Sequence, residues 1–150
     1  MRRESNIAIG QNAGKDDLIR SGNQHSALDR KTVLVVEDIS SNYLLISAML
    51  SKHYNLLHAV NGEQAVAMVK EYKIDLLLMD MKMPVMDGLS ATRVIRVLDR
   101  EDAKTIPIIA MTANAFTEDR RRVLEAGMNE HIAKPIDMKL LVNIIAQLVH

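Results

Sequence analysis

The sequence contains no cysteine and no tryptophan, and only one phenylalanine and three tyrosines among its 150 residues. Without cysteine there is no disulfide framework, no thiolate-held zinc, no iron–sulfur cluster and no cysteine nucleophile. An aromatic content of 3% argues against the stacking platforms used by single-stranded nucleic-acid binders. An excess of one charge sign is missing too: 19 Lys+Arg balance 19 Asp+Glu. The basic surplus expected of a direct nucleic-acid or anionic-membrane binder is therefore absent. No apolar run approaches the ~20 residues of a membrane-spanning helix. Arg2 and Arg3 open the chain as a signal peptide would, but no apolar segment follows. The cytoplasm is the expected location, and a longer parent protein would be free to carry a membrane anchor elsewhere. What is present is 48% hydrophobic and 25% charged residues with ten methionines, which suits one globular domain with an aliphatic core.

Residues 1–30 mix Ser, Asn, Gln, Gly and charge around isolated apolar positions. Such a stretch buries too little surface to offset its ordering entropy, and it reads as a flexible linker or tail with room for a short helix over Lys15–Arg20. Residues 31–150 read as the domain. Thr32–Glu37 (TVLVVE) is a β-branched apolar run, as in a strand covered on both faces. Ser40 or Ser41 is placed to cap a helix in which Leu44, Leu45, Ala48 and Met49 recur at helical spacing. A short strand follows at Asn55–Ala59, then an Asn61-Gly62 turn signal and a helix carrying Ala65, Val66, Met68 and Val69. Ile74–Met79 is a third strand ending at Asp80, and Pro84 and Gly88 bracket a loop before a helix over Leu89–Leu98. Ile106–Met111 is a fourth strand, Ala115–Ala126 a helix stopped by Gly127, and His131–Ala133 a fifth strand. Leu140, Leu141, Ile144, Ile145 and Leu148 line a closing helix, and the first four are expected in the core. Strict alternation of this kind predicts the α/β class, an open parallel sheet with helices on both faces. Ligands of such sheets bind at the carboxyl ends of the strands.

Those ends carry the functional question. Strand one ends in Glu37-Asp38, strand three in Asp80, strand four in Thr112, and strand five runs into Lys134-Pro135. Any one of these alone is an ordinary cap or solvated loop residue; five polar groups converging on one edge are not. Two carboxylates ~5 Å apart at an effective dielectric near 20 repel by roughly 3 kcal/mol. Three of them against one ammonium leave a deficit of positive charge. A divalent metal supplies it, and all-oxygen ligands favour Mg²⁺ over zinc. Aspartate is a competent nucleophile towards phosphorus, and phosphoryl transfer needs chiefly positioning and charge neutralisation. Asp80, at the end of the middle strand, is the expected acceptor, with Glu37 and Asp38 as metal holders and Lys134 and Thr112 on the phosphoryl oxygens. Absent motifs narrow the choice. There is no G-x-x-x-x-G-K-[ST] loop, no G-x-G-x-x-G after the first strand and no G-x-S-x-G elbow. A two-aspartate phosphatase would place a general acid two residues after its nucleophile, where this chain has Lys82.

The segments VLVVED (33–38), LLLMDMKMPVMDG (76–88), IIAMTANAF (108–116) and GMNEHIAKPID (127–137) together resemble the receiver domain of two-component response regulators, over roughly residues 32–149. The resemblance implies a flavodoxin-like five-stranded parallel sheet of order 2-1-3-4-5. It implies Asp80 as phosphoacceptor, and Mg²⁺ held by Glu37, Asp38, Asp80 and the Lys82 backbone carbonyl. Thr112 would be the switch hydroxyl and Lys134 the phosphate-pairing lysine, with a cis Lys134–Pro135 bond. Asn42 and the MDMKMPVMDG, TANAF and GMNEHIAKPI segments look most like receivers within hybrid sensor histidine kinases; a stand-alone response regulator is the alternative. The implied partner is a histidine kinase dimerisation and phosphotransfer domain or a histidine phosphotransfer protein. A homodimer is a further expectation, and nucleic acid and membrane contact are not.

Two positions depart from the family pattern. The switch position three residues before the lysine is commonly Tyr or Phe, and here it is His131. It is either a surface histidine of no special role or a ring that swings inward with Thr112 and makes the output face sensitive to pH. Ile39 stands where Asn is frequent. A non-catalytic, vestigial receiver used only for interaction and a small phosphotransferase or phosphatase on the same fold remain as alternatives. The charge run Glu118–Arg122 reads as a solvated helix face, and Lys82 and Asn114 as residues that flank the site.

Overall fold

A computed structural model describes residues 30–113 and 117–149, with the side chains of residues 117–119 also left undescribed. The tail expected over residues 1–30, apart from Arg30, lies outside the described residues, as do Asn114 and the expected helix start at Ala115. The elements are β1 (Thr32–Val36), α1 (Ser40–Leu50), β2 (Asn55–Ala59), α2 (Gly62–Glu71), β3 (Leu76–Asp80), α3 (Gly88–Arg96), a 3₁₀ turn (Glu101–Lys104), β4 (Ile108–Thr112), α4 (Thr117–Ala126), β5 (Glu130–Ala133) and α5 (Met138–Leu148). All strand pairs are parallel, in the order β2-β1-β3-β4-β5. This is the flavodoxin-like sheet that the resemblance implied. No helix among the described residues is long and apolar enough to cross a membrane.

The sheet is buried on both faces, which is why its strands read as continuous apolar runs rather than alternating ones. Leu34, Val36, Leu77, Met79, Ile108 and Ala110 face α2, α3 and α4, against Ala65, Val69, Ala91, Ile95 and Val123. Their neighbours Val33, Val35, Leu76, Leu78, Ile109 and Met111 face α1 and α5, against Ile46, Leu50, Leu141 and Ile145. Three helices are capped by side chains of the expected kind. Asn61 accepts from the Gln64 N–H at 2.8 Å, Asp87 from Ser90 at 2.8 Å and Asp137 from Leu140 at 3.2 Å. Gly127, at φ +104°, closes α4 in the left-handed region where a side chain is strained.

Helix α1 departs from expectation at its start. Neither Ser40 nor Ser41 caps it: the N-cap is Ile39, which offers no side-chain oxygen. The turn is instead held from the site side, where the Ile39 N–H donates to Glu37 Oε2 at 3.2 Å. The helical spacing of its apolar residues left the buried face open. Leu44 (63% exposed), Leu45 (70%) and Met49 (38%) face outward with Ala48, while Ile46 and Leu50 are buried and Tyr43 packs beside them. Both faces of this helix are apolar, so spacing alone does not choose between them. Leu140 of α5 is likewise 47% exposed, whereas Leu141 and Ile145 are fully buried and Ile144 and Leu148 partly so.

The two apolar sets of residues make a clean contrast. Leu141→Ala, at 0% exposure, is expected to lower unfolding free energy by about 2–5 kcal/mol. Leu45→Ala, on the outward face, is expected to change it by less than about 0.5 kcal/mol. Urea denaturation of the two variants beside wild type checks both values.

Candidate functional site

Parallel strands bring their carboxyl ends to one edge, and four of the five strands deliver a polar group there. Glu37 directly follows β1, Asp80 and Thr112 are the last residues of β3 and β4, and Lys134 directly follows β5. The exposures are 0% for Glu37, 5% for Asp80 and 4% for Thr112, in a core that is otherwise almost entirely apolar. Asp38 is exposed beside them. Lys134 Nζ lies 3.1 Å from Glu37 Oε1 and 3.1 Å from Asp80 Oδ2, bridging the two buried carboxylates. Its backbone is fixed by a bond from the Lys134 N–H to the Thr112 carbonyl at 2.8 Å, and the Lys134–Pro135 peptide is cis. Asp80 Oδ1 accepts from the Lys82 N–H at 3.2 Å.

The charges do not balance. Carboxylate oxygens of Glu37, Asp38 and Asp80 all lie within 4.8 Å of one another, and one ammonium faces these three acids. Burial pushes the Glu37 carboxyl above its ordinary value of 4.5; the Asp80 charge adds to the rise, and the Ile39 N–H and Lys134 only partly oppose it. For Lys134, burial alone would lower the ammonium. Its hydrogen bonds and charge pairing with Asp80 and Glu37 outweigh burial and raise it above 10.5. A donor set of oxygen alone with negative charge left over fits a hard divalent cation such as Mg²⁺.

The β3–α3 loop closes over this edge through tight backbone contacts. The Met81 N–H donates to the Met111 carbonyl at 3.0 Å and the Gly88 N–H to the Met81 carbonyl at 3.2 Å. A Cβ on Gly88 would sit 2.3 Å from the Asp80 carbonyl oxygen, so only glycine lets α3 begin against the acidic strand end. Val85, 74% exposed, takes φ +72° in the same loop. That conformation costs a branched side chain on the order of 1–2 kcal/mol.

The structure thus brings Glu37, Asp38, Asp80 and Lys134 together, and it places Thr112 at the same sheet edge and Lys82 at the loop's start. Thr112 is the β4 partner of Ala133, next to Lys134. His131 lies on β5 with its side chain only 14% exposed, which is not the solvated surface position expected of a residue with no special role. Its Nδ1 is 3.2 Å from Arg120 Nη1 of α4. Arg120 also donates to Glu130 Oε1 at 2.7 Å. A guanidinium only donates, so Nδ1 accepts there and the ring is tied to α4. Arg120, Arg121 and Arg122 are exposed, as expected of that charge run; the side chains of Glu118 and Asp119 lie outside the described residues. Two residues escaped the sequence reading: Gly88, taken only as a loop boundary, and His58, a lone imidazole in a short apolar strand.

Residues 33–146 match the family model described as the response regulator receiver domain. "Hybrid signal transduction histidine kinase I" of Dictyostelium discoideum is 40% identical over 119 residues, covering 75% of this chain and 7% of that protein. The chain therefore spans a small part of the curated relatives it matches. The receiver domain of sensor histidine kinase PA1611 from Pseudomonas aeruginosa PAO1, solved with a magnesium ion coordinated in its active-site cleft, is 41% identical with a TM-score of 0.73. That match covers 79% of this chain and 97% of the other. A co-crystal structure of the Saccharomyces cerevisiae histidine phosphotransfer protein Ypd1 with the receiver domain of Ssk1 matches at 30% identity and a TM-score of 0.74, covering 80% and 89%.

The raised Glu37 carboxyl has a sign that can be measured without metal. A carboxyl whose folded value exceeds its unfolded one contributes stability that is complete below the unfolded value and is lost as pH rises through the folded one. The Glu37 contribution to metal-free unfolding free energy is therefore expected to fall as pH climbs above about 4.5, against the opposite contributions of the lowered Asp102 and Glu130 carboxyls, and Glu37→Gln is expected to shift the pH slope of stability in the positive direction. Urea titrations at several pH values in the presence of a chelator read it directly. An unchanged slope in the variant would show that Glu37 is not the group responsible.

Proposed function

This chain belongs to the response regulator receiver domain family of two-component signalling, and we propose that Asp80 is its phosphoacceptor, with Glu37, Asp38, Thr112 and Lys134 completing the site and Mg²⁺ as cofactor. The observation that carries the reading is the Lys134 ammonium 3.1 Å from both Glu37 and Asp80, next to a third, exposed carboxylate. In this reading an Asp80 oxygen attacks the phosphorus of a phosphohistidine. The new P–O bond forms as the P–N bond breaks, and the imidazole leaves with a proton from solvent. Lys134 Nζ pairs with one phosphoryl oxygen and the Thr112 hydroxyl donates to another. Glu37, Asp38, Asp80 and the Lys82 backbone carbonyl are the groups that would hold Mg²⁺, which supplies charge neutralisation of the phosphoryl oxygens. Thr112 and His131 are the switch positions. His131 reaches α4 through Arg120, a route by which a movement at the sheet edge would alter the α4–β5 surface.

The donor in this reading is a protein, either the dimerisation and phosphotransfer domain of a histidine kinase or a histidine phosphotransfer protein. The relative solved with Ypd1 and the chemistry of the acceptor both support it. So does α1 with its N-cap Ile39, which follows the acid pair: Ile39, Leu44, Leu45 and Met49 are exposed, and an apolar face beside the mouth of the site is what a docking protein needs. Likeness to hybrid histidine kinases supports a parent protein of that kind, with residues 31–150 as its receiver domain and residues 1–30 as a linker to the preceding part.

Intact mass after incubation with acetyl phosphate tests the acceptor. Wild type is expected to gain one phosphoryl group only with Mg²⁺, Asp80→Asn to gain none, and Lys134→Ala to react about 10²-fold more slowly. An Asp80→Asn protein that is phosphorylated as wild type is would refute the assignment. Docking is tested separately with Leu45→Glu, which is expected to slow transfer from a phosphorylated phosphotransfer protein by about tenfold while reaction with acetyl phosphate stays as in wild type.

A further inference from the structure

His58 is the single imidazole in β2 (NLLHA), on the edge strand of the sheet. Its ring lies flat against Tyr43 of α1, with centroids 3.7 Å apart and planes 5° from parallel. Its Nε2 sits 2.8 Å from the backbone carbonyl oxygen of Glu37. A carbonyl has no proton to give, so Nε2 carries the hydrogen and donates. The Glu37 N–H donates in turn to the Ala59 carbonyl at 2.9 Å. Both main-chain polar groups of Glu37 are therefore tied to two consecutive residues of β2.

The carbonyl that His58 holds belongs to the peptide unit joining Glu37 to Asp38. That unit is planar, so fixing its oxygen fixes the direction in which the chain leaves towards Asp38. The two acids must diverge: the Glu37 side chain is fully buried against Lys134 while Asp38 is exposed. Asp38 lies in the short connection between the end of β1 and the start of α1 at Ser40, and α1 has no side-chain cap to stiffen its entry. We infer that His58 is a positioning residue for the acid pair: by donating to the Glu37 carbonyl it orients the Glu37–Asp38 peptide so that both carboxylates reach the Asp80 cluster, and the stacked Tyr43 ring sets the plane from which it donates. The inference rests on the metal-site reading given above.

A Mg²⁺ titration followed by amide chemical shifts of the isotope-labelled chain tests it on wild type, His58→Phe and His58→Gln. Phenylalanine keeps a ring for Tyr43 but has no donor, and its Mg²⁺ affinity is expected to fall roughly five-fold, the value of one ordinary hydrogen bond. Glutamine offers an amide N–H at about the reach of Nε2 and is expected to return affinity to within about two-fold of wild type. Phe equal to wild type, or Phe and Gln weakened alike, would overturn the inference, since a merely structural side chain would give no rescue by a donor. If wild type itself binds no Mg²⁺, the metal-site reading fails and His58 loses its role with it, an outcome distinct from wild-type binding that His58→Phe leaves intact. Independently of any variant, the wild-type His58 ring is expected as the Nε2–H tautomer in nitrogen–proton correlation spectra. A neutral ring protonated only at Nδ1 would also overturn the inference.

Discussion

One ammonium between two buried carboxylates governs the rest of this structure. Lys134 is separated from Asp80 by 54 residues and from Glu37 by 97, so the bridge forms only when β1, β3 and β5 are all in register. A buried carboxylate without a cation is costly, and the packing that buries Glu37 and Asp80 therefore depends on the strand that brings Lys134. That strand is placed by its pairing with β4, in which Thr112 lies opposite Ala133, and by the Lys134 N–H bond to the Thr112 carbonyl. Core, register and site are coupled through this contact.

The bridge is nevertheless incomplete by design of the sequence, because a third acid, Asp38, stands within ligand distance of the other two. A site with surplus negative charge is unstable on its own and ready for positive charge from outside. The adjoining loop is strained, with Val85 held in the left-handed region. Proteins tend to hold such strain where function requires it, with the surrounding packing over-determining the geometry. Here two apolar layers, one on each side of the sheet, supply that packing.

The legibility of these features in the sequence follows from their physics. Strands buried on both faces leave unbroken apolar runs, so β1, β3 and β4 were readable to within two residues at either end, and the polar residues that stop those runs identified the site. The buried face of α1 was not legible because Leu44, Leu45, Ala48 and Met49 are as apolar as the Tyr43, Ile46 and Leu50 side chains that pack inward; only the third dimension separates the faces. The side-chain cap of α1 is missing because the N-cap residue is Ile39, which has no oxygen to offer; its N–H donates to the Glu37 side chain instead. Gly88 carried the commonplace signal of a turn, although what demands a glycine there is a backbone oxygen eight residues earlier. His58 had no signal beyond being polar among apolar neighbours, since its partners, Tyr43 and Glu37, lie on other elements.

If Lys134 and an external divalent cation share the task of compensating the same three carboxylates, then removing the ammonium must leave more negative potential for the cation to meet. The most direct measurement is the Mg²⁺ dissociation constant of Lys134→Met against wild type at neutral pH, with folding of both verified by urea denaturation. Tighter binding by Lys134→Met is the expected result. Equal or weaker binding by a folded variant would contradict the central claim that the lysine and the metal neutralise one common cluster.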